Sequence, residues 1–341
     1  MKNRIVPVKD VKKIIVRLPN FLGDSIMSTP ALGLLFQEYP EAKFTFICNN
    51  PCQEILCKLN VVDKIIIDNT RKGGGRLFKT IRLIKEIRQD KYDLGVLFHN
   101  SLLNALILKF GKITHLIGYN NESRKFLLDF HLKINRTRHY INHYANLVNQ
   151  YLGNKYRELP SLSIWNEGEE VDFGFANDLP IVGLGLGNDV QGSRAYTKKL
   201  SLELIHLLLE KKQYNLVLIG DKNDAKRNDF YEEQIPLELK ARIRNYSGKT
   251  DVGTHINIIK NLDVLITIDS SAMHIAVAVL TPFIVLLGKS TSAFSTVQPK
   301  VSFGHYLKKE KNLIDDEWFI SQIEPVEIAT QIESCLINPS V

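Results

Sequence analysis

Short apolar runs alternate with amphipathic stretches along the chain, and this rhythm occurs twice. The apolar runs predict buried strands, and the segments with apolar residues at helical spacing predict helices. In the first half the predicted strands are residues 13–18, 43–48, 64–67, 94–98 and 116–119. The second half restarts at Pro180, and its predicted strands are residues 181–186, 216–220, 264–268 and 283–287. Strands that alternate with helices indicate parallel sheets covered on both faces.

Helices are predicted between these strands. Leu77, Ile81, Ile84 and Ile87 recur at helical spacing, which predicts a helix that carries them on one apolar face. Ser201 is the expected N-cap of a helix in the second half, with Glu203 in its first turn. This helix is predicted over residues 201–211, and further helices are predicted over residues 25–39, 105–110 and 318–336.

The chain has 341 residues, which is too long for one ordinary core and predicts two α/β domains. A stretch between the halves contains a proline, a tryptophan, a glycine and an acidic cluster, so we interpret it as a linker. The predicted organisation is an N-terminal domain over 1–155, the linker over 156–178, a C-terminal domain over 179–315 and a C-terminal helical segment over 316–341.

The net charge of +7 favours an anionic partner, which could be nucleic acid, lipid headgroups or a phosphorylated small molecule, or it marks a merely basic protein. One segment is crowded with basic residues and predicts either a surface for anionic headgroups or a solvated helix face. Its basic residues are Arg71, Lys72, Arg76, Lys79, Arg82, Lys85 and Arg88. No run approaches the roughly 18 apolar residues of a membrane span. Residues 1–13 lack the apolar core of a signal peptide, so a cytoplasmic location is expected.

The cysteines and a histidine pair are weak candidates for a metal site. Cys48, Cys52 and Cys57 cluster, but no two have the spacing of a zinc knuckle, so reduced thiols near a core are expected. His139 and His143 lie four apart and could share a helix face. Without a third ligand nearby, we favour a structural or acceptor-side role over metal binding.

Ligands of doubly wound sheets bind beyond the carboxyl ends of the strands, so the loops after the strands are the candidate sites. The first is residues 19–25, where Gly23 permits a tight turn and Asp24 falls at a helix N-terminus. Asp24 is either a helix cap or a carboxylate that takes a proton from an acceptor hydroxyl.

Two loops in the second half suit phosphate. Residues 187–199 combine Gly187 with Lys198, which fits a diphosphate, although a solvated lysine is also compatible with the sequence. Residues 269–274 place small side chains at the start of a helix, which is either an anion site or an ordinary capped turn. Residues 248–250 and 288–290 resemble the end of a P-loop, but the required glycine five positions earlier is absent.

Taken together, these segments resemble the bacterial heptosyltransferases, glycosyltransferase family nine, and most of all the branch that adds the second heptose. The resemblance spans about residues 14–292. The motifs that carry it are Arg17 to Met27 with Pro30-Ala31-Leu32, Phe98 to Ser101 with Asn104-Ala105-Leu106, Ile117-Gly118-Tyr119 with Arg124, Ser247 to Thr250, Asp269 to His274, and Thr281-Pro282.

The resemblance implies a GT-B fold, in which two doubly wound parallel-sheet domains face each other and residues 316–341 pack back on the N-terminal domain. It implies an inverting glycosyltransferase with ADP-heptose as donor and the inner core of lipopolysaccharide or lipooligosaccharide as acceptor. No cofactor is then required, magnesium is not essential, and neither nucleic acid nor a protein partner is expected. The enzyme would be cytoplasmic and peripheral to the inner membrane.

The resemblance also implies roles for individual residues. Asp24 would be the general base, and Lys198 would hold the diphosphate. The implied donor-binding residues are Gly187, Asn188, Asp224, Lys249, Thr250, Asp269, Ser270, Ser271 and His274. The implied acceptor-binding residues are Asn20, Gly23, Ser101, Asn104 and Arg124.

Three donor-side positions depart from the family pattern. Ser271 stands where the family has glycine, Leu200 follows the lysines where it has Trp-Pro, and Lys289 interrupts its Gly-Pro-Thr. They leave open a transferase for another nucleotide sugar, a nucleotide-sugar 2-epimerase, or a catalytically silent glycolipid-binding relative. A dehydrogenase is the weaker alternative, because no GxGxxG turn is present.

Overall fold

The computed structural model describes residues 11–56, 58–166, 170–288, 293–309 and 319–337. The chain divides into two compact units, Met1–Glu167 and Gly168–Val341. The boundary falls inside the predicted linker, residues 156–178.

Within its described residues, unit 1 contains a six-stranded parallel sheet in the order β3-β2-β1-β4-β5-β6. Its strands are β1 (Lys13–Arg17), β2 (Lys43–Cys48), β3 (Val62–Ile67), β4 (Leu94–Leu97), β5 (His115–Asn120) and β6 (Phe130–Lys133). Its helices are α1 (Leu22–Met27), α2 (Thr29–Glu38), α3 (Asn50–Gln53), α4 (Arg76–Asp90), α5 (Leu102–Phe110) and α6 (Tyr140–Tyr151).

Unit 2 repeats this arrangement, with a six-stranded parallel sheet in the order β12-β11-β10-β7-β8-β9 among its described residues. Its strands are β7 (Ile181–Gly185), β8 (Asn215–Leu218), β9 (Ile243–Asn245), β10 (Val264–Ile268), β11 (Phe283–Leu286) and β12 (Gly304–Leu307). Its helices are α7 (Lys198–His206), α8 (Lys222–Gln234), α9 (Val252–Lys260), α10 (Ser271–Ala278) and α11 (Pro325–Ile337). The predicted fold class, two doubly wound parallel-sheet domains, is confirmed.

The strand order places a crevice at the same point in each sheet. The first strand of each unit pairs with its second strand on one side and its fourth on the other. The chain therefore winds in opposite directions from this point, and the loops that follow the two central strands separate and leave room for a ligand. These loops follow β1 and β4 in unit 1, and β7 and β10 in unit 2.

Three strands were not predicted, namely β6, β9 and β12. Each of them lies at a sheet edge. An edge strand is covered less completely than a central one, so it lacks a continuous apolar run. In unit 2, helix α7 also begins earlier than predicted. Thr197 is its N-cap and accepts a hydrogen bond from the Leu200 amide, whereas Ser201 is buried within the helix, so the predicted serine cap is wrong.

Helix α4 exists as predicted, but only part of its predicted apolar face is buried. Ile87 is buried as predicted, together with Leu83, and Ile84 is partly buried against the same core. Leu77 and Ile81, which the spacing assigned to the same face, are 75% and 43% exposed. The prediction was wrong for these two residues because a second apolar stripe is possible on this helix, and it covers the core.

The last helix, α11, packs within unit 2. Ile328, Ala329 and Ile332 are fully buried in the core of that unit, where α11 contacts α7, β10 and β11. The resemblance placed residues 316–341 against the N-terminal domain, whereas the described contacts of α11 place its apolar face on its own sheet.

The predicted linker is divided between the two cores. Trp165 packs edge-on against Phe36 of unit 1, with ring centroids 5.4 Å apart. Phe173 belongs to unit 2, where its carbonyl accepts a hydrogen bond from Arg244 at 3.0 Å.

Cys48, Cys52 and Cys335 are free and buried, as expected for thiols near a core, and Cys57 lies outside the described residues. None of the helices in the described ranges combines the length and apolar character that a bilayer crossing requires.

Candidate functional site

In unit 1, a buried arginine connects the loops that follow the central strands of the sheet. Arg17, at the end of β1, is 2% exposed and forms an ion pair with Asp68 at 2.7 Å. Its guanidinium also donates to Asn104 Oδ1 and Asn20 Oδ1, both at 3.1 Å. Burial alone would raise the pKa of Asp68, but hydrogen bonds from Thr70 and the charge of Arg17 together hold this pKa below its usual value. Arg17 thus ties the loop after β1 to helix α5.

His99, in the loop after β4, completes this network. Its Nε2 lies 2.7 Å from the Asn20 amide nitrogen, and its Nδ1 lies 2.9 Å from that of Asn104. The Ser101 backbone amide donates to the same Nδ1 at 3.2 Å. Because the Ser101 amide donates to Nδ1, this nitrogen is the acceptor of the neutral ring, and protonating it would cost that hydrogen bond. Burial, assisted by the charges of nearby arginines, lowers the pKa of His99 to about 4, so the ring is neutral near pH 7.

Two predicted acceptor residues, Ser101 and Asn104, pair within this network. Ser101 is the N-cap of α5, and its Oγ accepts from the Asn104 backbone amide at 3.3 Å and side-chain amide at 2.8 Å. His99 and Arg17 were not predicted as site residues, although both lie in the quoted motifs. The signal was their position at the ends of adjacent central strands.

Arg124 supports the loop after β4 from inside the protein. It is fully buried and donates to the carbonyls of His99 at 2.8 Å, Ser101 at 3.1 Å and Tyr119 at 2.7 Å. Its remaining bond, at 2.9 Å, goes to Asn100 Oδ1. The structure therefore gives this predicted acceptor residue a role in shaping the loop.

Asp24 is the third residue of α1, in the loop-to-helix segment after β1. The N-cap of α1 is Phe21, without a side-chain cap bond, so the structure does not support a capping role for Asp24. Among the described residues, no group donates a hydrogen bond to its carboxylate. Burial raises its pKa to about 6. A half-buried carboxylate that titrates near neutral pH and has no fixed partner is suited to accept a proton.

Gly23 lies inside α1, and its φ is not among the positive glycine values of the described chain. The predicted tight turn at Gly23 is therefore wrong. Helix α1 starts one residue before Gly23, which adopts no left-handed conformation.

The histidine pair has structural roles. His139 is the N-cap of α6, and its Nδ1 accepts from the Ile141 amide at 3.3 Å. His143 is buried and stacks on Tyr119, with ring centroids 3.9 Å apart. Burial lowers its pKa to about 4.

In unit 2, the loop after β7 depends on a glycine and an asparagine. Gly187 has φ +79°, and a Cβ there would lie 2.8 Å from Ile268 Cδ1 and 3.0 Å from Ala195 Cβ. The Asn188 side chain caps the following turn and donates to Asp224 Oδ1 at 2.7 Å. The structure thus brings the predicted donor residues Gly187, Asn188 and Asp224 together. Asp224 lies in the first turn of α8 rather than in a loop, where its Oδ2 accepts from the Asp221 amide at 2.7 Å.

Arg227, which was not predicted as a site residue, supports the same loop through hydrogen bonds to its backbone. It is 7% exposed and donates to the carbonyls of Tyr196 at 2.6 Å and Gly187 at 3.3 Å. Its Nε donates to Tyr231 at 2.6 Å. No local sequence signal marks this role, because an arginine on a polar helix is ordinarily exposed.

Lys198 is the first residue of α7, and its side chain is exposed. Its ammonium lies 3.4 Å from the centroid of the Phe230 ring, which is a cation–π contact. Lys199 instead lies 3.8 Å from Glu203. Unlike Lys199, Lys198 therefore has no carboxylate among its described contacts, and its charge is exposed on the surface.

The loops after β8 and β9 meet at Gly248. This residue has φ +68°, and its amide donates to the Gly220 carbonyl at 3.1 Å. Lys249 donates to the Asn245 carbonyl at 3.1 Å and lies 4.0 Å from Asp229. Thr250 directly precedes Asp251, the N-cap of α9.

After β10, Asp269 precedes the N-cap of α10. That cap is Ser270, whose Oγ accepts from the Ala272 amide at 3.3 Å. Ser271 is the first residue of α10 and does not have a positive φ, so the helix accepts serine in place of the family's glycine. His274 is buried one turn into the helix. Of the other two departures, Leu200 is the third residue of α7, and Lys289 lies outside the described residues.

Comparisons with known proteins agree with this architecture. The sequence profile of glycosyltransferase family 9 (heptosyltransferase) matches residues 80–309. A lipooligosaccharide heptosyltransferase 2 of Haemophilus influenzae is 26% identical over 301 residues, which are 83% of this chain and 85% of that protein.

Two solved structures share the fold. The structure of Escherichia coli ADP-heptose lipopolysaccharide heptosyltransferase II matches with a TM-score of 0.80 at 21% identity, over 96% of this chain and 100% of that one. A structure of an E. coli heptosyltransferase with ADP-2-deoxy-2-fluoro heptose matches with a TM-score of 0.74 at 13% identity, over 94% and 99% of the two chains. The expected GT-B fold is thereby confirmed at the level of its two doubly wound parallel-sheet domains. Because the profile covers more than half of the sequence, this chain is a glycosyltransferase and belongs to glycosyltransferase family 9, the heptosyltransferase family.

Proposed function

We propose that this enzyme transfers heptose from ADP-heptose to the inner core of lipopolysaccharide or lipooligosaccharide, with inversion at the anomeric carbon. The names of its relatives support the acceptor, and the ADP-heptose analogue bound to a structure of the same fold supports the donor. The observation that carries the mechanism is the carboxylate of Asp24, whose pKa burial raises to about 6.

Asp24 is the proposed general base. The acceptor hydroxyl gives its proton to the Asp24 carboxylate while its oxygen forms a bond to the anomeric carbon of heptose. The bond between that carbon and the phosphate oxygen of ADP breaks, and ADP leaves with the electron pair. Attack from the side opposite the leaving group inverts the configuration.

The leaving diphosphate is the proposed ligand of unit 2. Lys198 has an exposed ammonium that can move from the Phe230 ring to a phosphate. The first turn of α10 offers backbone N–H groups beside Ser270 and Ser271, and the partial positive charge of a helix N-terminus stabilises an anion. A cation and amide donors suffice for this charge, so the proposed reaction requires no cofactor, and magnesium is not essential to it.

The remaining donor residues have proposed roles that come from the resemblance to the family. Asp224 and Asn188, already hydrogen-bonded to each other, would bind the ribose and the diphosphate. Lys249 and Thr250 would lie near the adenine, and Asp269 would orient the sugar. On the acceptor side, the predicted residue Gly23 directly precedes Asp24 and Asn20 lies four positions before it, and both are only partly buried.

The proposed location is the cytoplasm, at the inner surface of the inner membrane. The core acceptor is a glycolipid, so its lipid part stays in the bilayer while the sugars reach the enzyme. The donor is a charged, soluble nucleotide sugar.

Asp24→Ala should lower the turnover number at least about 100-fold, which is the scale of the loss of a general base. The product of ADP-heptose and a truncated core acceptor would be quantified by mass spectrometry, and circular dichroism would confirm that the variant is folded. In the parent enzyme the rate should rise with pH through about 6 and then level, because only the ionised carboxylate accepts a proton.

The matched control is Asp63→Asn, which neutralises an exposed carboxylate on β3 and should leave turnover unchanged. An Asp24→Ala variant with near-normal turnover would remove Asp24 from the mechanism. Absence of heptosylated product from the parent enzyme with this donor would contradict the proposed reaction itself.

A further inference from the structure

The exposed side of helix α4 carries an apolar cluster. Leu77 is 75% exposed, Phe78 is 73% exposed and Ile81 is 43% exposed, while the helix buries Thr80, Leu83 and Ile87 against the core. Single exposed apolar side chains are common, but three within five residues on the outer face of one helix form a patch. These three side chains are defined here as the α4 apolar cluster.

Basic residues continue the same face toward the C-terminus of the helix. Ile81, Lys85 and Arg88 follow one another at spacings of four and three, so they line the same side of α4. Arg82 follows Phe78 after one turn, and all three basic side chains are exposed. The outer face of α4 is therefore apolar in its first half and cationic in its second.

The positive charge of this face is not neutralised by the acidic residues of α4. The carboxylates of Glu86 and Asp90 lie 3.0 and 3.6 Å from the ammonium of Lys64, a residue of β3, and both form ion pairs with it. Within the described residues, no carboxylate lies within ion-pair distance of Arg82 or Lys85. Arg88 donates to the Phe110 carbonyl at 2.8 Å, and Phe110 is itself 56% exposed beside it.

Almost all the net charge of the chain is concentrated here. Residues 71–91 contain eight basic and two acidic residues, a net charge of +6, whereas the whole chain carries +7. The remaining residues are thus nearly balanced, so an electrostatic partner would be drawn to this segment rather than to the protein as a whole.

We propose that the outer face of α4 docks on an anionic lipid bilayer, with the α4 apolar cluster inserted at the headgroup–acyl boundary and Arg82, Lys85 and Arg88 bound to headgroups. A helix that lies in the membrane surface needs both an apolar face and flanking cations, and α4 supplies both. A nucleic acid would use the cations but would leave Leu77, Phe78 and Ile81 exposed to water. The inference deepens the proposed function, because it assigns the surface that would bring unit 1 to a membrane-held acceptor.

The test is co-sedimentation of the full chain with vesicles of phosphatidylcholine alone and with an equal mixture of phosphatidylcholine and phosphatidylglycerol. The parent protein should bind the mixed vesicles much more strongly than the neutral ones. The combined variant Leu77→Ser, Phe78→Ser, Ile81→Ser should lose at least about ten-fold in partition, which is the loss expected when apolar side chains no longer leave water. Its residual binding should vanish on adding salt.

A second variant, Arg82→Gln with Lys85→Gln, should lose the preference for phosphatidylglycerol. A third, Phe78→Trp, should show a blue shift of tryptophan emission on mixed vesicles and quenching by brominated acyl chains. The matched apolar control is Leu237→Ser with Val326→Ser, which removes two exposed side chains from unit 2. The matched charge control is Lys226→Gln with Lys240→Gln, also exposed residues of unit 2. Both controls should bind as the parent does.

The proposal is overturned if the parent protein fails to bind mixed vesicles, if the triple serine variant binds like the parent, or if only a nucleic acid competes for the basic face. The rate of transfer to a truncated, water-soluble acceptor distinguishes a failure of the docking proposal from a failure of the proposed function. The α4 variants should keep the parent rate on that acceptor. If the parent shows no transfer there, the proposed reaction fails while the vesicle measurement still decides the docking surface.

Discussion

The Asp24 side chain stays protonated up to a higher pH than an aspartate in water does. Burial raises its pKa to about 6 from a usual value of 3.8, so the folded protein binds this proton more tightly than the unfolded chain does. Between these two pH values the folded state carries the additional proton, and the stability contributed by this group falls as the pH rises. Above about pH 6 the loss is complete and constant.

Asp24→Asn should therefore stabilise the protein at pH 7 and above, by at most about 3 kcal/mol for a shift of this size. The amide cannot ionise, so the variant avoids the cost of a charged group in a poorly solvated place. The gain should shrink as the pH falls from about 6 and be absent below about 4. Urea unfolding of parent and variant at several pH values would measure this difference in the free energy of unfolding.

A constant difference at all pH values would mean that packing, not charge, separates the two proteins. With the loss of turnover expected for Asp24 variants, a more stable but inactive protein would show that the site is built at the expense of stability.

At the scale of elements, the central strands were readable because each is buried on both faces and appears as an apolar run. Val264–Ile268, for example, is buried at every position. The edge strand Phe130–Lys133 is buried only at its first residue, so its pattern resembles a loop. Helix α4 shows a further limit, since a period of 3.6 predicts the helix while the choice between two apolar stripes depends on the neighbouring elements.

The loops of the candidate site could be predicted from the sequence, but the buried side chains that support these loops could not. The strand ends pointed to the loops that contain Asn20, Gly187 and Asn188, and the family resemblance added Ser101. The structure places these residues in the networks described above. Arg227 could not be found, because its contacts join residues 31 and 40 positions apart along the chain. The roles of the predicted residues toward donor and acceptor remain predictions for the experiments.

The conformation of the loop after β7 depends on Gly187. Gly187→Ala should destabilise unit 2 by about 1–3 kcal/mol, because the positive φ strains an alanine and the new methyl group meets Ile268 and Ala195. The affinity for ADP should fall as well, since the loop carries Asn188. Thermal unfolding and titration calorimetry with ADP would measure the two effects.

Gly192→Ala is the matched control in the same loop. Gly192 also has a positive φ, +56°, but nothing lies within 4 Å of the added methyl group. Only the backbone strain should remain, at about 1–3 kcal/mol. Equal losses of ADP affinity in the two variants would show that the close approach at Gly187 does not shape the donor site.

For the whole molecule, the important feature is that each unit has a hydrophobic core of its own. A ligand that binds one unit therefore stabilises that unit directly. This division makes it possible to test which nucleotide the second unit recognises without measuring transfer.

ADP should slow amide hydrogen exchange most strongly in unit 2, at the loops after β7, β8, β9 and β10. At a concentration of about one hundred times its Kd, a ligand adds about 2.7 kcal/mol to the stability of the state that binds it. UDP at the same concentration should leave these loops unchanged. Equal protection by both nucleotides, or protection confined to unit 1, would contradict the assignment of an adenine nucleotide to unit 2.

Three partly or fully buried histidines make this protein sensitive to acid, namely His99 and His143 in unit 1 and His255 in unit 2. Each imidazole has a pKa of about 4 in the fold, against about 6.5 in the unfolded chain, so each takes up a proton on unfolding throughout that interval. As the pH falls, the unfolded chain therefore gains three cations that the folded chain does not carry. Acidification from about pH 6.5 to about 4 should accordingly destabilise both units through their imidazole rings, while the Asp24 carboxyl partly offsets this loss in unit 1.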